Sequence, residues 1–578
     1  MTKDKGLNTP STQISDAKLV GVFLGAALGD ALGWPYENRA RNSSSKTAGT
    51  LRFSDWTKRS GGRFQPHEEF IPAGSYSDDT QLLIAVSRAR AISPEWWTYF
   101  ATVELPLWLT YERGGGGATL RAARSWLKGI PPWESGPSER ERYFQAGGNG
   151  AAMRIAPHIL SNLGRPFEKV AEDIVLDSVV THGHPSAIVG ALAYGFALWT
   201  AIHNSQTLEY GHLLRAVREN VSFWGVWRAI DAIWPNWLST ANNYGFEGAW
   251  AETVASFTSQ IDVAAESLEA GALSLDQSTL EALGCFDKSI SGAGTVAASA
   301  AIYLASRYAA GPMEGLTAAA FARGADTDTI ASMTGALLGA VNGVEWLGSL
   351  VREVQDYEFI ADMARSLRHA APDELPFKRV DHRYIDRILA DLDKGRPIHM
   401  PPGFPSVARE VDMVRANSQN LQARSWILQE PHFQTIVIKK LIRAKRETAS
   451  QRDQETFAFK SEEPDTLPWE ATFAGIGLYA TDISQSVNFY HRLLGLPIVR
   501  QTSKMIQLGE HLVLRPSPNK ERGGSGTLVY IQVNDLESCL NILRNAGVMP
   551  SEIERGGSRR SLTCVDPDGR TVEVFQRF

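Results

Sequence analysis

The residues best suited to chemistry are oxygen-bearing side chains in two short clusters that lie far apart in the chain. One is Tyr76-Ser77-Asp78-Asp79-Thr80-Gln81, and the other is Gly324-Ala325-Asp326-Thr327-Asp328-Thr329-Ile330. Each opens a helix-like run, Leu82–Arg90 in the first case and Ala331–Leu338 in the second. Hard divalent cations such as magnesium take carboxylate, hydroxyl and water oxygens in near-octahedral geometry. Brought together, two such clusters could hold a pair of ions, as two-metal hydrolytic centres do. The competing reading is helix capping, because Ser, Thr and Asp satisfy orphan amides and suit the helix dipole. Capping accounts for either cluster alone, but it does not call for two acids plus a hydroxyl twice.

Three further blocks accompany the clusters: Gly29-Asp30-Ala31-Leu32-Gly33-Trp34-Pro35-Tyr36-Glu37, Gly148-Asn149-Gly150-Ala151-Ala152-Met153-Arg154 and Thr181-His182-Gly183-His184-Pro185. In this order the five blocks resemble the ADP-ribosylglycohydrolase family, which includes the dinitrogenase-reductase-activating glycohydrolase, over roughly residues 15–370. The resemblance implies an all-α domain, two magnesium ions (with manganese as an alternative) and a substrate carrying ADP-ribose. It implies Ser77, Asp78, Asp79, Asp326, Asp328 and Thr329 as metal ligands, and Glu37, Asp78 and Asp326 as catalytic residues. Gly115, Gly116, Gly117, Thr119, Gly148, Asn149, Gly150, Met153 and His182 would bind the substrate. The chain departs from the nitrogenase-type branch in having no aspartate between Thr98 and Gly150. Proton transfer therefore falls to Glu37 or to a metal-ligating acid.

Each assignment has a plainer competitor. Glu37 could simply be exposed after a turn, and Asp30 could tie down a loop. Asn149 could be a left-handed turn residue. The stretch Glu112-Arg113-Gly114-Gly115-Gly116-Gly117-Ala118-Thr119 reads either as a flexible connection or as backbone amides offered to a phosphate. His184 reads as structural, and no further His or Cys falls at zinc spacing.

These residues need elements to position them. A helix from Ser15 to about Ala31 would carry Gly21, Gly25, Gly29 and Gly33 as a bare stripe, one every four residues. Glycine costs a helix about 1 kcal/mol relative to alanine. The stripe therefore implies close packing at Gly21 and Gly25, and either packing or a ligand at Gly29 and Gly33. Residues 38–75 read as a surface loop with a short strand at Thr50–Phe53, while Pro94–Tyr111 and residues 186–230, 247–283 and 294–322 read as helical. Trp224, Trp227, Trp234 and Trp237 read as packing residues.

After Arg379 the prolines Pro397, Pro401, Pro402 and Pro405 break the chain. Val407–Arg446 then reads as helical, with a basic run of Lys439, Lys440, Arg443, Lys445 and Arg446. That run is either a solvated helix face or a nucleic-acid contact. Glu447–Pro468 is polar and acidic, as linkers are. The last hundred or so residues repeat a strand–helix–strand–strand theme in Ala474–Ala480, Ser484–Leu494, Met505–Leu508 and His511–Leu514, and again in Leu528–Val533, Leu536–Ala546, Arg560–Val565 and Thr571–Phe575. With Asp482…Phe489-Tyr490…Leu494-Gly495-Leu496 and Asp566-Pro567-Asp568-Gly569…Val572-Glu573, this part resembles the vicinal-oxygen-chelate (glyoxalase/bleomycin-resistance) superfamily. Gly475 and Leu528 stand where that resemblance implies metal ligands, which leaves Glu573, with His511 as a possible substitute. This part is not expected to bind a metal.

The expected fold is therefore multidomain. An all-α helical domain spans residues 15–395, a partly helical linker 396–469, and an α+β domain of paired βαβββ units 470–578. At 578 residues the chain exceeds one core, and its net charge of −6 argues against a surface built to coat nucleic acid. Three cysteines without metal-like spacing, a polar Met1–Ser15 and no apolar run of membrane-spanning length point to the cytoplasm. The resemblance implies a magnesium-dependent hydrolase, a glycosidase releasing ADP-ribose from a protein side chain, a nucleic acid or a small molecule. Two other readings stand beside it: a non-catalytic ADP-ribose-binding or crystallin-like protein, and a C-terminal glyoxalase-like enzyme regulated by the helical domain.

Overall fold

The computed structural model describes the chain apart from residues 1–13, 38–50, 61–65, 207, 272–274, 370–376, 418–420, 444–470, 474–476, 481, 503–504, 510–511, 517–527, 556–558, 568–569 and 578. Two compact units divide it, Met1–Lys445 and Arg446–Phe578.

The first unit is helical. Its elements nearest the five sequence blocks are α1 (Asp16–Gly33), α2 (Asp78–Ile92), α3 (Gly117–Lys128), α4 (Phe167–Thr181), α5 (Pro185–His203), α6 (Gly294–Arg307) and α7 (Thr327–Asn342). α1 and α7 pack antiparallel along a seam of small residues. A Cβ on Gly21 would stand 2.2 Å from the Gly343 carbonyl oxygen, one on Gly25 2.2 Å from that of Gly335, one on Gly29 2.1 Å from that of Ala331, and one on Gly33 2.3 Å from that of Thr327. The fit is reciprocal, since a Cβ on Gly335 would lie 2.0 Å from the Gly25 oxygen and one on Gly339 1.9 Å from that of Gly21. No side chain fits at those distances, so Gly29 and Gly33 are packing glycines like Gly21 and Gly25.

α1 with its extension to Tyr36, and α5, are long and apolar enough to cross a membrane. That amends the expectation that no run reaches this length. Their apolar windows are 89% and 83% buried inside the fold, as helices apolar on every face are in the centre of a large core. Trp224 and Trp237 are fully buried, while Trp227 and Trp234 pack against the core edge.

Two small sheets join this helical unit. The order β1–β2–β4 links β1 (Trp56–Ser60) and β2 (His67–Ile71) to β4 (Val414–Ala416), and the order β3–β5–β6 links β3 (Ala408–Val411), β5 (Leu421–Leu428) and β6 (Ile436–Arg443). The first strand is thus Trp56–Ser60, not Thr50–Phe53, of which residue 50 lies outside the described residues. The segment expected to be helical, Val407–Arg446, is strand wherever it is regular, which corrects the partly helical reading of 396–469. Ile436-Val437-Ile438 and Ile442 are β-branched and favour a pleated surface over a helix. β5 and β6 pair antiparallel without a slip from Leu421↔Arg443 to Leu428↔Ile436.

The second unit holds the two repeats. β8 (Gly477–Ala480), α8 (Ile483–Val487), β9 (Ile498–Thr502), β10 (Met505–Leu508) and β11 (Leu512–Pro516) form a sheet of order β8–β11–β10–β9. The second repeat, β12 (Leu528–Val533), α9 (Leu536–Asn545), β13 (Glu554–Arg555), β14 (Arg559–Val565) and β15 (Thr571–Arg577), has order β13–β14–β15–β12, with β7 (Ala471–Phe473) beside β12. In both repeats the first strand pairs parallel with the last. The two repeated aspartates have the same job: Asp482 caps α8 through the amides of Ser484 and Gln485, and Asp535 caps α9 through that of Ser538.

Candidate active site

Capping of α2 is carried out by residues other than its acids. The Asp30 carboxylate, at the end of α1, accepts from the Ser77 amide at 3.0 Å, the Thr80 amide at 2.9 Å and the Thr80 hydroxyl at 2.6 Å. Ser77 Oγ accepts from the Asp79 amide at 3.2 Å. Asp30 therefore ties down the loop, and the Asp78 and Asp79 carboxylates are left for another role. At α7, Asp326 occupies the cap position but makes no side-chain cap bond. It accepts instead from Asn149 Nδ2 at 2.9 Å. Asn149 has no positive φ, so it is a side-chain partner rather than a left-handed turn residue.

The two clusters meet. Thr329 Oγ1 on α7 donates to Asp79 Oδ2 on α2 at 3.2 Å, and Thr327 Oγ1 binds the Gly33 carbonyl at 2.9 Å. Asp78, Asp79 and Asp328 are 7%, 2% and 4% exposed, while Asp326 and Glu37 are half-buried. Burial lifts the Asp78, Asp79 and Asp328 carboxyls well above the ordinary range, and neighbouring acids push the same way. Asp30, Asp78 and Asp326 act on Asp79; Glu37, Asp326 and Asp79 act on Asp328; Asp30, Glu112 and Glu37 act on Asp78. The Lys58 ammonium, the strongest of the charges acting on Asp78, opposes the rise there. Glu37 thus lies between the clusters, close enough to charge both.

This pool of buried acids fits hard cations. Every donor is an oxygen, the charges acting on Asp79 and Asp328 are all those of other acids, and Asp79 Oδ1 is buried without a hydrogen-bond partner. Among the described residues, no three His, Cys, Asp or Glu side chains yet converge tightly around one ion-sized point. Like-charged carboxylates spread apart, so mutual proximity together with an orphaned oxygen weighs more here than preassembly.

The substrate candidates line the same region. Gly116 and Gly117 start α3, and the Gly115 amide is held by Glu112 Oε2 at 3.1 Å. Gly114, at φ +100°, brings its backbone to within about one side-chain atom of Asp78 Oδ1 and Lys58 Nζ: a Cβ there would lie 3.1 and 3.0 Å from them. The Asn149 amide binds the Gly292 carbonyl at 2.9 Å. A Cβ on Gly150 would lie 3.0 Å from Thr119 Oγ1 and 3.1 Å from His182 Cε1, so Thr119, Gly150 and His182 are neighbours. His182 is buried, its Nδ1 is 2.7 Å from Thr181 Oγ1, and burial with the nearby Arg154 pulls its pKa down to about 3. It is therefore a neutral imidazole. Met153 is buried in the core behind this loop. His184 Nδ1 caps α5 through the Ser186 amide, a structural role.

Sequence reasoning missed three supports. Arg154, fully buried, binds the Gly150 carbonyl at 2.7 Å, Thr181 Oγ1 at 2.9 Å and Asp177 Oδ1 at 3.0 Å, which fixes two substrate loops at once. Lys58 lay in a stretch read as loop, and its ammonium stands 4.9 Å over the Trp34 ring. Glu112 was read only as loop. The available signal was a charged residue beside a glycine block in each case. A separate cavity of about 550 Å³ is lined by Arg121, Arg124, Lys128, Arg142, Tyr143 and Thr181, with none of the metal-ligand candidates in its wall. It is not the acidic site. Lys439 and Lys440 of the basic run are engaged by Glu69 and Asp393.

The ADP-ribosylglycohydrolase family model matches residues 11–375, and the glyoxalase/bleomycin resistance protein/dioxygenase superfamily model matches residues 472–574. The ADP-ribosyl-[dinitrogen reductase] glycohydrolase of Rhodospirillum rubrum is 29% identical over 182 residues, which is 31% of this chain and 55% of that protein. The chain thus spans about half the length of that relative. A solved ADP-ribosylglycohydrolase-related protein complex aligns at 19% identity and TM-score 0.39, over 61% of this chain and 97% of its own. A glyoxalase/bleomycin resistance protein/dioxygenase structure from Alicyclobacillus acidocaldarius aligns at 19% identity and TM-score 0.16, over 18% of this chain and 92% of its own.

Proposed function

The chain belongs to the ADP-ribosylglycohydrolase family, and on that premise we propose that it is a magnesium-dependent hydrolase that cleaves the glycosidic bond of an ADP-ribosylated substrate and releases ADP-ribose. The observation that carries this reading is the meeting of α2 and α7, where Thr329 reaches Asp79 amid carboxylates that have almost no cationic partner. Ser77, Asp78, Asp79, Asp326, Asp328 and Thr329 would hold two magnesium ions. When bound, such ions supply charge neutralisation and Lewis acidity at the ribose and the bond to be cut.

The remaining work belongs to the chain's own groups. Glu37, half-buried between the clusters, is the carboxylate that takes a proton from the attacking water or returns one to the leaving group. Asn149 fixes the Asp326 carboxylate through one amide hydrogen bond. Backbone at Gly115–Gly117 and Gly148–Gly150 lies close to the ligand because no side chain intervenes, and the start of α3 favours the diphosphate. His182, neutral, contributes a hydrogen bond rather than a charge.

The test is a hydrolysis panel over arginine, serine, nucleic-acid, O-acetyl and small-molecule linkages, scored as ADP-ribose release with and without magnesium. At least one linkage is expected to turn over only with the metal. Failure of all of them alongside tight ADP-ribose binding would leave a binding protein.

A further inference from the structure

The family match ends at residue 375, yet β6 lies beyond it and reaches the loops around the acidic site. Lys439 on β6 is 15% exposed, and its ammonium donates to Glu69 Oε2 at 3.2 Å and to the Glu112 carbonyl at 3.0 Å. Glu69, 1% exposed on β2, also accepts from Arg113 Nε at 3.0 Å. Burial alone would raise the Glu69 carboxyl, and Lys439 with Arg113 and, more weakly, Lys58 reverses that, so Glu69 is held as a buried anion between Lys439 and Arg113.

Two short paths lead from this set to the site. The Arg113 carbonyl accepts from the Asp78 amide at 2.9 Å, and the Arg113 amide donates to Gln81 Oε1 on α2 at 3.2 Å. Glu112, whose carbonyl Lys439 holds, restrains the Gly115 amide through its carboxylate at 3.1 Å. The residues before β6 grip the other side of the same turn. Thr435 donates from its amide and hydroxyl to Asp356, which accepts in turn from the Tyr76 hydroxyl at 2.8 Å.

We propose that Lys439, on a strand outside the family match, is a positioning residue of the glycohydrolase site: by holding Glu69 and the Glu112 carbonyl it fixes Arg113 and the glycine loop, and through them the Asp78 end of α2 and the backbone that meets ADP-ribose. The role rests on the reading of the site given above. Because Lys439 acts on loop placement and touches no reacting atom, its loss falls on binding. The ammonium also lies 3.7 Å from Glu112 Oε1, so its removal leaves Glu69 with Arg113 as its hydrogen-bonding cation and Glu112 with no partner from Lys439.

The test uses the full-length protein and the Lys439→Met and Lys439→Arg variants. For the linkage that the wild type hydrolyses best, Lys439→Met is expected to raise KM and the magnesium concentration for half-maximal rate by about tenfold, with kcat changed by less than about threefold, and Lys439→Arg to recover most of that loss. Calorimetric binding of ADP-ribose reads the same shift without needing turnover. A wild type that hydrolyses nothing therefore overturns the glycohydrolase reading while the Lys439 effect is still measured. Unchanged KM, magnesium requirement and ADP-ribose affinity in a folded Lys439→Met protein overturn the proposal, as does a fall in kcat alone that arginine does not rescue. If Lys439→Met does not fold, Glu112→Ala decides: it removes the restraint on Gly115 and is expected to weaken ADP-ribose binding, and unaltered binding counts against the proposal.

Discussion

Buried carboxylates at the acidic site are treated in the opposite way to those in the second unit and elsewhere in the first. In the second unit, Asp566 is 4% exposed and closed off: it accepts from the Tyr490 hydroxyl at 2.9 Å and from Arg570 Nη1 at 2.8 Å. In the first unit, Asp177 is likewise locked between Arg154 and His158, and its carboxyl is held below the ordinary range against the cost of burial. At the acidic site, Asp78, Asp79 and Asp328 are equally buried, but apart from the Lys58 ammonium that acts on Asp78 the charges acting on them are those of other acids. A buried charge with its partner already present is architecture; buried charges that share only like charge need something from outside. That contrast marks where chemistry is proposed in this chain, and it can be attacked at several strengths.

The strongest attack removes one acid from the acidic site. Asp78→Asn or Asp326→Asn is expected to abolish turnover while far-ultraviolet circular dichroism stays unchanged, and chelation should do the same to the wild type, reversibly. Full activity in chelator would end the two-metal reading. Next, Glu37→Gln should lower kcat by about 100-fold with ADP-ribose binding retained. Normal turnover would pass the proton-transfer role to a metal-ligating aspartate.

A third test compares two glycines. Gly25→Ala puts a Cβ 2.2 Å from the Gly335 carbonyl oxygen and is expected to destabilise by about 3 kcal/mol or more in urea melts. Gly248→Ala, in the open on the Phe246–Glu269 helix, should stabilise by about 0.5–1 kcal/mol.

The pH dependence sharpens the partnered side. His182 resists protonation in the folded state, down to about 3, whereas an unfolded histidine titrates near 6.5. Below about 6.5 the unfolded chain therefore takes up a proton that the folded chain refuses, and stability falls with pH by about 1.4 kcal/mol per unit from this group. His182→Asn should flatten that slope between about pH 6.5 and 5, read as urea midpoints. A slope identical to wild type would mean that His182 is not shielded as described.

The smallest expected effect is none at all. Glu573→Ala in the full-length protein should leave zinc, nickel, manganese and iron stoichiometry unchanged, since a lone carboxylate cannot hold these ions. A one-to-one complex lost in that variant would make the second unit a metal site.

The helical scaffold and the acid clusters could be read from the sequence because their signals are local: cap residues, small-residue spacing and motif order. α1 is expected nearly at its observed limits for that reason, whereas α7 extends by four residues at each end beyond the expected Ala331–Leu338. The sheets of residues 408–443 could not be read, because Lys439 and Lys440 look like a basic helix face until Glu69 and Asp393, remote in sequence, are brought beside them. The same holds for Asn149, whose left-handed and ligand-facing readings are decided only by where Asp326 lies. Arg154 was visible as part of a motif, but its hold on Gly150, Thr181 and Asp177 depends on α4 packing against that loop.

The glycine seam has a further consequence, for folding rather than for the finished site. Its small residues recur every four positions on both helices, so steric fit alone does not select one alignment. Sliding α1 by four residues, about 6 Å along α7, again sets Gly21, Gly25 and Gly29 opposite small residues. What distinguishes the native alignment is polar: the Thr327 hydroxyl on the Gly33 carbonyl and the Asp30 carboxylate on Ser77 and Thr80 at one end, and Lys18 on the Asn204 carbonyl with Asp16 on Arg368 at the other. These polar contacts act as a stop on an otherwise slidable rail, and the acid clusters are assembled only when the rail has reached it.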